Sequence, residues 1–255
     1  RQADIYRRFG LSFDHFGRTS ARRNHALTQH FYRRLDAAGL IAAQTSQQVW
    51  SPLDQRFLPD RYVLGTCPHC GDPNARGDQC DHCGTLLDPP ELIAPRSALS
   101  GDRALEIRDS RHLFLRQSQL VEKIGAWIDS RAGWPPFVVS TAKSWLNADL
   151  RDRCITRDLA WGIAVPREGF DGKVFYVWFD APIGYIAATQ QWADAAPDRD
   201  WRDWWWQASD VSYIQFLGKD NIPFHTVSFP ATLLGSGEPW TTADVIKGFH
   251  WLNYE

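Results

Sequence analysis

Val174-Phe-Tyr-Val-Trp-Phe-Asp-Ala-Pro-Ile-Gly-Tyr185 is the stretch that decides how this 255-residue chain is read. Val174 to Phe179 are all apolar or aromatic, as in a strand buried on both faces. Asp180 can cap a following helix by accepting backbone N–H bonds. Pro182 fits a first helical turn, where its missing N–H costs nothing. The helix is then expected to run through Trp192. In open α/β sheets, ligands bind beyond the carboxyl ends of strands. Trp178, Ala181, Pro182 and Tyr185 are therefore candidates to surround a compact apolar group. Alone, the stretch favours a plain core junction, because aromatic runs are usually core.

Downstream the pattern recurs. Val211-Ser-Tyr-Ile-Gln-Phe-Leu217 reads as a strand, Gly218-Lys-Asp-Asn-Ile-Pro223 as a turn, and Phe224-His-Thr-Val-Ser-Phe229 as a helix start. Val245 to Leu252 reads as a third strand. Strands alternating with helices imply a parallel sheet with right-handed crossovers. Lys219, Asp220 and His225 are expected beside the ligand end of the preceding strand. Two such junctions at one sheet edge make a pocket the better reading. Trp201, Trp204, Trp205 and Trp206, in the connection between them, are expected to cover the sheet or the Cys-rich segment. Upstream, Arg151 and Arg153 alternate and can share a strand face. Arg157 suits a carboxylate or phosphate, against an ordinary ion pair with Asp158 or another acid. Cys154 reads as a small buried hydrophobe.

Further upstream, Cys67-Pro-His-Cys70-Gly and Cys80-Asp-His-Cys83-Gly form two matched CxxC pairs. Four thiolates can occupy the corners of a tetrahedron, a geometry Zn²⁺ accepts readily. Gly71 and Gly84 permit the turn that aims backbone N–H groups at sulfur. His69 and His82 are expected to be exposed knuckle residues. Thiol redox chemistry is the rival, but two matched pairs favour a metal. A closed four-ligand site is structural, supplying folding energy to a segment with little core of its own.

The first 48 residues read as helical. Leu27, Phe31 and Leu35 form one apolar stripe on a helix from Arg22 to Ala38, closed by Gly39. Arg22, Arg23, Arg33 and Arg34 read first as a solvated face, and otherwise as phosphate contacts. Residues 49–66 read as two short strands around a turn. Ala104–Arg108 and His112–Arg116 read as two half-buried strands, and 119–150 as two helices broken at Trp134-Pro-Pro136. The net charge of −2 gives no global basic field for nucleic acid. The apolar runs are too short for a membrane span. The chain contains no Met and begins with Arg1, so an internal piece of a longer protein is expected. Paired CxxC thiols and the lack of a signal peptide make the cytoplasm the expected location.

The order of these motifs resembles methionyl-tRNA synthetases, a family of class I aminoacyl-tRNA synthetases. Phe175–Tyr185 is similar to the family's methionine-pocket segment, and Gly218–His225 to its second pocket segment. Phe57-Leu-Pro-Asp-Arg-Tyr-Val63 with the double CxxC is similar to its zinc-bearing connective insertion. Ile155-Thr-Arg-Asp158 is similar to the strand returning to the catalytic domain. The likeness runs along nearly the whole chain, and Ala181-Pro-Ile-Gly-Tyr185 argues against the isoleucine and valine enzymes.

The resemblance implies an α/β fold: the C-terminal half of a Rossmann-like catalytic domain with an inserted zinc-binding connective-peptide domain. The segments implied are 1–48, helical; 49–150, the insertion with its knuckle at 62–90; and 151–255, the second half of the catalytic domain. It implies methionine activation by ATP with Mg²⁺, then transfer to tRNA(Met). Trp178, Ala181, Pro182, Tyr185, Asn221, His225 and Phe229 would line the methionine pocket, with Tyr185 and His225 offering hydrogen bonds to the thioether sulfur. Asp220 and Arg157 would act near the reacting carboxylate and ATP, and Cys67, Cys70, Cys80 and Cys83 would hold structural zinc. Asn221 and Phe229 differ from some relatives. The His-Ile-Gly-His and Lys-Met-Ser-Lys-Ser types of ATP motif are absent from the sequence, so this stretch alone is expected to form adenylate poorly. Two rivals stand beside this reading: a zinc-knuckle RNA-binding module without catalysis, and a degenerate synthetase paralogue.

Overall fold

The computed structural model describes residues 1–78, 80–83, 85, 87–147 and 150–250. The elements run α1 (Gln2–Arg8), α2 (Arg22–Ala37), β1 (Ile41–Ser51), β2 (Arg56–Phe57), β3 (Val63–Thr66), β4 (Ala75–Arg76), β5 (Ile93–Ser97) and β6 (Glu106–Leu115). They continue with α3 (Val121–Asp129), α4 (Pro136–Asn147), β7 (Arg153–Cys154), β8 (Thr156–Arg157), β9 (Val174–Phe175) and α5 (Val177–Asp194). The last are α6 (Arg202–Trp205), β10 (Ile214–Gly218), α7 (Phe229–Gly235) and β11 (Val245–Phe249). Two compact units result. One is built from 1–42, 114–155 and 175–255, the other from 43–113 and 156–174. These borders differ from the three consecutive segments drawn from sequence: 114–150 packs into the first unit.

The first unit is a helical assembly with a parallel strand pair. α2 buries Leu27, Phe31, Tyr32 and Leu35, as its stripe demands, and packs on α5. Its basic residues are partly paired, with Arg23 on Asp194 at 2.6 Å and Arg34 beside Glu238 at 3.4 Å. α3 buries Ile124, Trp127 and Ile128, and α4 buries Val138, Ala142 and Leu146, the two faces read from sequence. β10 and β11 pair in parallel, from Ile214↔Val245 to Gly218↔Phe249. The expected parallel alternation is thus present here. The third strand ends at Phe249, and Trp251 and Leu252 lie outside the described residues.

Two expectations in this unit are corrected. The strand expected over Val174–Phe179 is only the two residues of β9, because helix begins at Val177. A short apolar run does not distinguish a buried strand from a buried helix. Asp180 is therefore inside α5 rather than its cap, and Pro182 lies in the helix interior. Pro182 cannot give the Trp178 carbonyl its helical N–H. Second, the tryptophans of the connection pack mainly on one another and on other rings of this unit. Trp201 and Trp206 gather round the buried Trp240, which also meets Phe31 of α2. Trp205 meets Tyr213, and Trp204 meets Trp192.

The second unit has a core of Val49, Leu58, Val63, Cys67, Ala75, Cys80, Leu87 and Leu92. β3 pairs antiparallel with β4 and with β5, and β1 pairs antiparallel with β2. Residues 41–48 belong to β1, not to a helix; α2 stops before Gly39, whose φ is +73°. The two strands expected over 104–116 are one, β6. Its buried Ser110 and His112 are tolerated because they have partners. Ser110 Oγ donates to Asp158 Oδ2 at 2.7 Å, and His112 Nδ1 lies 3.0 Å from Thr156 Oγ1.

Candidate functional site

The first unit holds the predicted pocket residues on two helical faces. Trp178, Ala181, Pro182 and Tyr185 recur at helical spacing on α5 and share one face. Asn221, His225 and Phe229 come from the turn after β10 and the helical run that follows. There, residues 224–228 form a π-helical turn just before Pro230. A proline ring clashes with the carbonyl four residues earlier, here Thr226, and a widened turn relieves that clash. Such turns place side chains off the regular helical face.

The two faces meet. Tyr185 Oη lies 2.9 Å from His225 Nε2, and His225 Nδ1 lies 2.9 Å from the Asn221 carbonyl oxygen. A carbonyl can only accept, so Nδ1 carries the proton and Nε2 is the acceptor for the Tyr185 O–H. The imidazole is neutral: burial lowers its pKa, against a smaller upward pull from the Asn221 carbonyl. Burial raises that of Tyr185, which keeps its proton. Phe229 meets the Tyr185 ring edge-on at 6.2 Å. In this arrangement both protons are engaged within the protein, between Tyr185, His225 and the Asn221 carbonyl. His225 is 5% exposed and Tyr185 44%, so the pair is fixed at its base and open at its lip.

Asp220 lies exposed at the end of β10. Three groups were not read from sequence. Phe224 stacks on Trp178 with centroids 4.1 Å apart and planes 11° from parallel. The Arg153 guanidinium lies over Phe224 at 4.6 Å. Phe224 stood inside the quoted Gly218–His225 motif, whereas Arg153 carried only an alternation signal. Asp180 is buried and its carboxyl is pushed up to about 7 by that burial, against a downward pull from its own backbone N–H. A cavity of about 410 Å³ is lined by Asp14, His15, Trp192, Trp204, Trp205 and Tyr213, among others. None of the predicted pocket residues lines it.

The second unit holds the four cysteines and Arg157. The ligand atoms of Cys67, Cys70, Cys80 and Cys83 all lie within 4.8 Å of one another. Cys67 and Cys83 sulfurs are 3.9 Å apart, and those of Cys70 and Cys80 are 3.6 Å apart. Zn–S bonds of about 2.3 Å in a tetrahedron give S···S edges of about 3.8 Å, so the donor set fits Zn²⁺ in kind and in spacing. His69 and His82 are exposed, as expected. Gly71 has φ +79°, which fits the turn expected after Cys70; Gly84 lies outside the described residues. The Thr85 hydroxyl and backbone N–H pull the Cys83 thiol down to about 6.

Arg157 is held by Asp60, Nη2 to Oδ2 at 2.7 Å, both largely buried. The acid proposed as its ordinary partner, Asp158, is engaged elsewhere. Burial opposes its ionisation, but His112, Lys173 and Ser110 together hold its carboxyl well below the usual range.

The family described as tRNA synthetases class I (M) matches residues 1–255. The methionine–tRNA ligase of Caulobacter vibrioides is 59% identical over 261 residues, covering 99% of this chain and 46% of its own length. Methionine–tRNA ligase 1 of Acaryochloris marina is 58% identical over 254 residues, covering 100% of this chain and 45% of its own. The chain thus spans about half the length of the curated relatives it matches. Mycobacterium tuberculosis methionyl-tRNA synthetase, in a structure bound by methionyl-adenylate, shares the fold. Its TM-score is 0.63 at 22% identity, over 98% of this chain and 44% of that one. The expected architecture, an α/β class I synthetase fold bearing a four-cysteine cluster suited to zinc, agrees with these matches. Matched from end to end by that family, the chain belongs to the class I tRNA synthetases of the M type.

Proposed function

We propose that this chain is the methionine-recognising part of a methionine–tRNA ligase working in the cytoplasm. The observation that carries the reading is the neutral Tyr185–His225–Asn221 relay, which meets Phe229 and shares the helix face that carries Trp178, Ala181 and Pro182. An uncharged aromatic pocket suits an unbranched thioether and offers nothing to a charged side chain. Methionine's carboxylate would attack the α-phosphorus of ATP, releasing pyrophosphate, with Mg²⁺ accompanying the nucleotide. The aminoacyl group would then pass to the terminal adenosine of tRNA(Met). The protein's part is positioning and charge stabilisation. Asp220, exposed after β10, is proposed for the reacting end; Arg157, ion-paired with Asp60, is proposed as a group for a carboxylate or phosphate. Cys67, Cys70, Cys80 and Cys83 would hold zinc, which supplies folding energy to their unit. A zinc-knuckle RNA-binding module leaves the relay and the stacked Trp178–Phe224 pair without a role. The test is ATP–pyrophosphate exchange by the whole polypeptide carrying this chain. Exchange that depends on methionine, and not on leucine or isoleucine, supports the reading; exchange driven by another amino acid refutes it.

A further inference from the structure

Arg153, Phe224 and Trp178 form a three-layer stack. The guanidinium lies 4.6 Å from the Phe224 ring centre, and the Trp178 ring lies 4.1 Å from it, 11° from parallel. Two groups at those distances cannot share one ring face, so Phe224 is held between them. The aromatic pair is closely packed, with centroids 4.1 Å apart. A cation on the outer face of Phe224 is attracted to the ring. The backbone fixes each layer separately. Arg153 is set by the antiparallel pairing of β7 with β6, where it stands opposite Leu115. Phe224 opens the π-helical turn that also carries His225. Trp178 lies in the first turn of α5, one helical face with Tyr185. A single cation therefore ties a strand to both helical walls of the pocket.

We infer that Arg153 is a positioning residue that holds Phe224, and through it Trp178, in the orientation that receives the amino-acid side chain. The inference rests on the proposed methionine function. Arg153 needs no contact with the substrate. Its effect belongs to amino-acid recognition, not to ATP binding or to the chemical step.

The test compares the whole polypeptide with Arg153→Met, which keeps an apolar stem but removes the charge, and Arg153→Lys, which keeps a cation. Pyrophosphate exchange is measured with methionine and ATP varied independently. Arg153→Met is expected to raise the methionine KM about five-fold, the scale for loss of a partly exposed cation–π contact. The ATP KM and kcat should stay within about two-fold. Arg153→Lys should recover most of the loss. A merely structural arginine gives the opposite split, a lower kcat from lost active protein at unchanged methionine KM, and that result overturns the inference. Failure of Arg153→Lys to recover overturns it too. The wild type separates the two readings: no methionine-dependent exchange defeats the proposed function, whereas normal exchange with an unchanged KM in Arg153→Met defeats only this inference.

Discussion

Replacing Asp180 by Asn should make the protein more stable at pH 8 than at pH 5, relative to wild type. Asp180 is 9% exposed, and its carboxyl is pushed from 3.8 to about 7 by burial. The unfolded chain has an ordinary carboxylate there. Between pH 4 and pH 7 the folded protein therefore binds more protons than the unfolded one. Stability contributed at this site falls as pH rises through that window, and levels off above about 7. A shift of about 3 units at 1.36 kcal/mol each sets a ceiling of about 4 kcal/mol. Between pH 5 and pH 8 the share of that ceiling is about 2.5 kcal/mol, and water reaching the carboxylate will reduce it. Asn cannot ionise, and its amide can donate to the Asn24 Oδ1, a buried atom that has no hydrogen-bond partner among the described residues. His225 works in the other direction. Its folded pKa lies below 6.5, so stability is lost as pH falls below the unfolded value toward the folded one. Comparing variant with wild type cancels that contribution. Urea unfolding followed by tryptophan fluorescence at pH 5 and pH 8 gives the answer. Parallel pH slopes for the two proteins would refute the assignment of a neutral, buried Asp180.

Metal analysis should find one zinc per chain, and chelation should raise hydrogen exchange at the Val63–Thr66 amides, whose strand shares a core with Cys67 and Cys80. Tyr185→Phe removes the donor to His225 Nε2 and leaves a buried acceptor unmet. It should cost about 1–2 kcal/mol of stability in urea unfolding. Gly162→Ala should cost about 2–3 kcal/mol in urea unfolding. Its φ is +153°, and an added Cβ would come within 2.7 Å of the Val174 Cβ.

Much of this architecture was legible because its signals are local. The Leu27–Phe31–Leu35 stripe announces α2, and the same side chains prove buried. The two CxxC pairs announce a four-sulfur cluster, since ligand type and spacing are written in the chain itself. What was not legible depends on distant partners. Ser110 falls in the interruption expected between two strands. Inside β6 it is held by Asp158, more than forty residues away. The helix over Val177–Phe179 is invisible to periodicity because every residue there is apolar. Arg153 gave only an alternation signal, since its ring partner lies seventy-one positions along the chain.

The shortened strand changes the chemistry of the pocket, not only its outline. On a strand, Trp178 and Asp180 would point to the same face, and a carboxylate would stand beside the ligand. On a helix, positions 178, 181, 182 and 185 share one face, and Asp180 turns away into the packing of α5, toward Asn24 of α2. Burial then leaves Asp180 about half protonated at pH 7, and the same physics keeps His225 neutral from the opposite side. The proton on Nδ1 is committed to the Asn221 carbonyl, and the Tyr185 proton to Nε2. His225 and Tyr185 are thus both held uncharged, by desolvation and by fixed partners. That condition favours an uncharged side chain over a lysine or glutamate of similar length, because a buried charge would find no counter-charge among these groups. Discrimination among apolar side chains then falls to shape, set by rings whose orientation is fixed from outside the pocket.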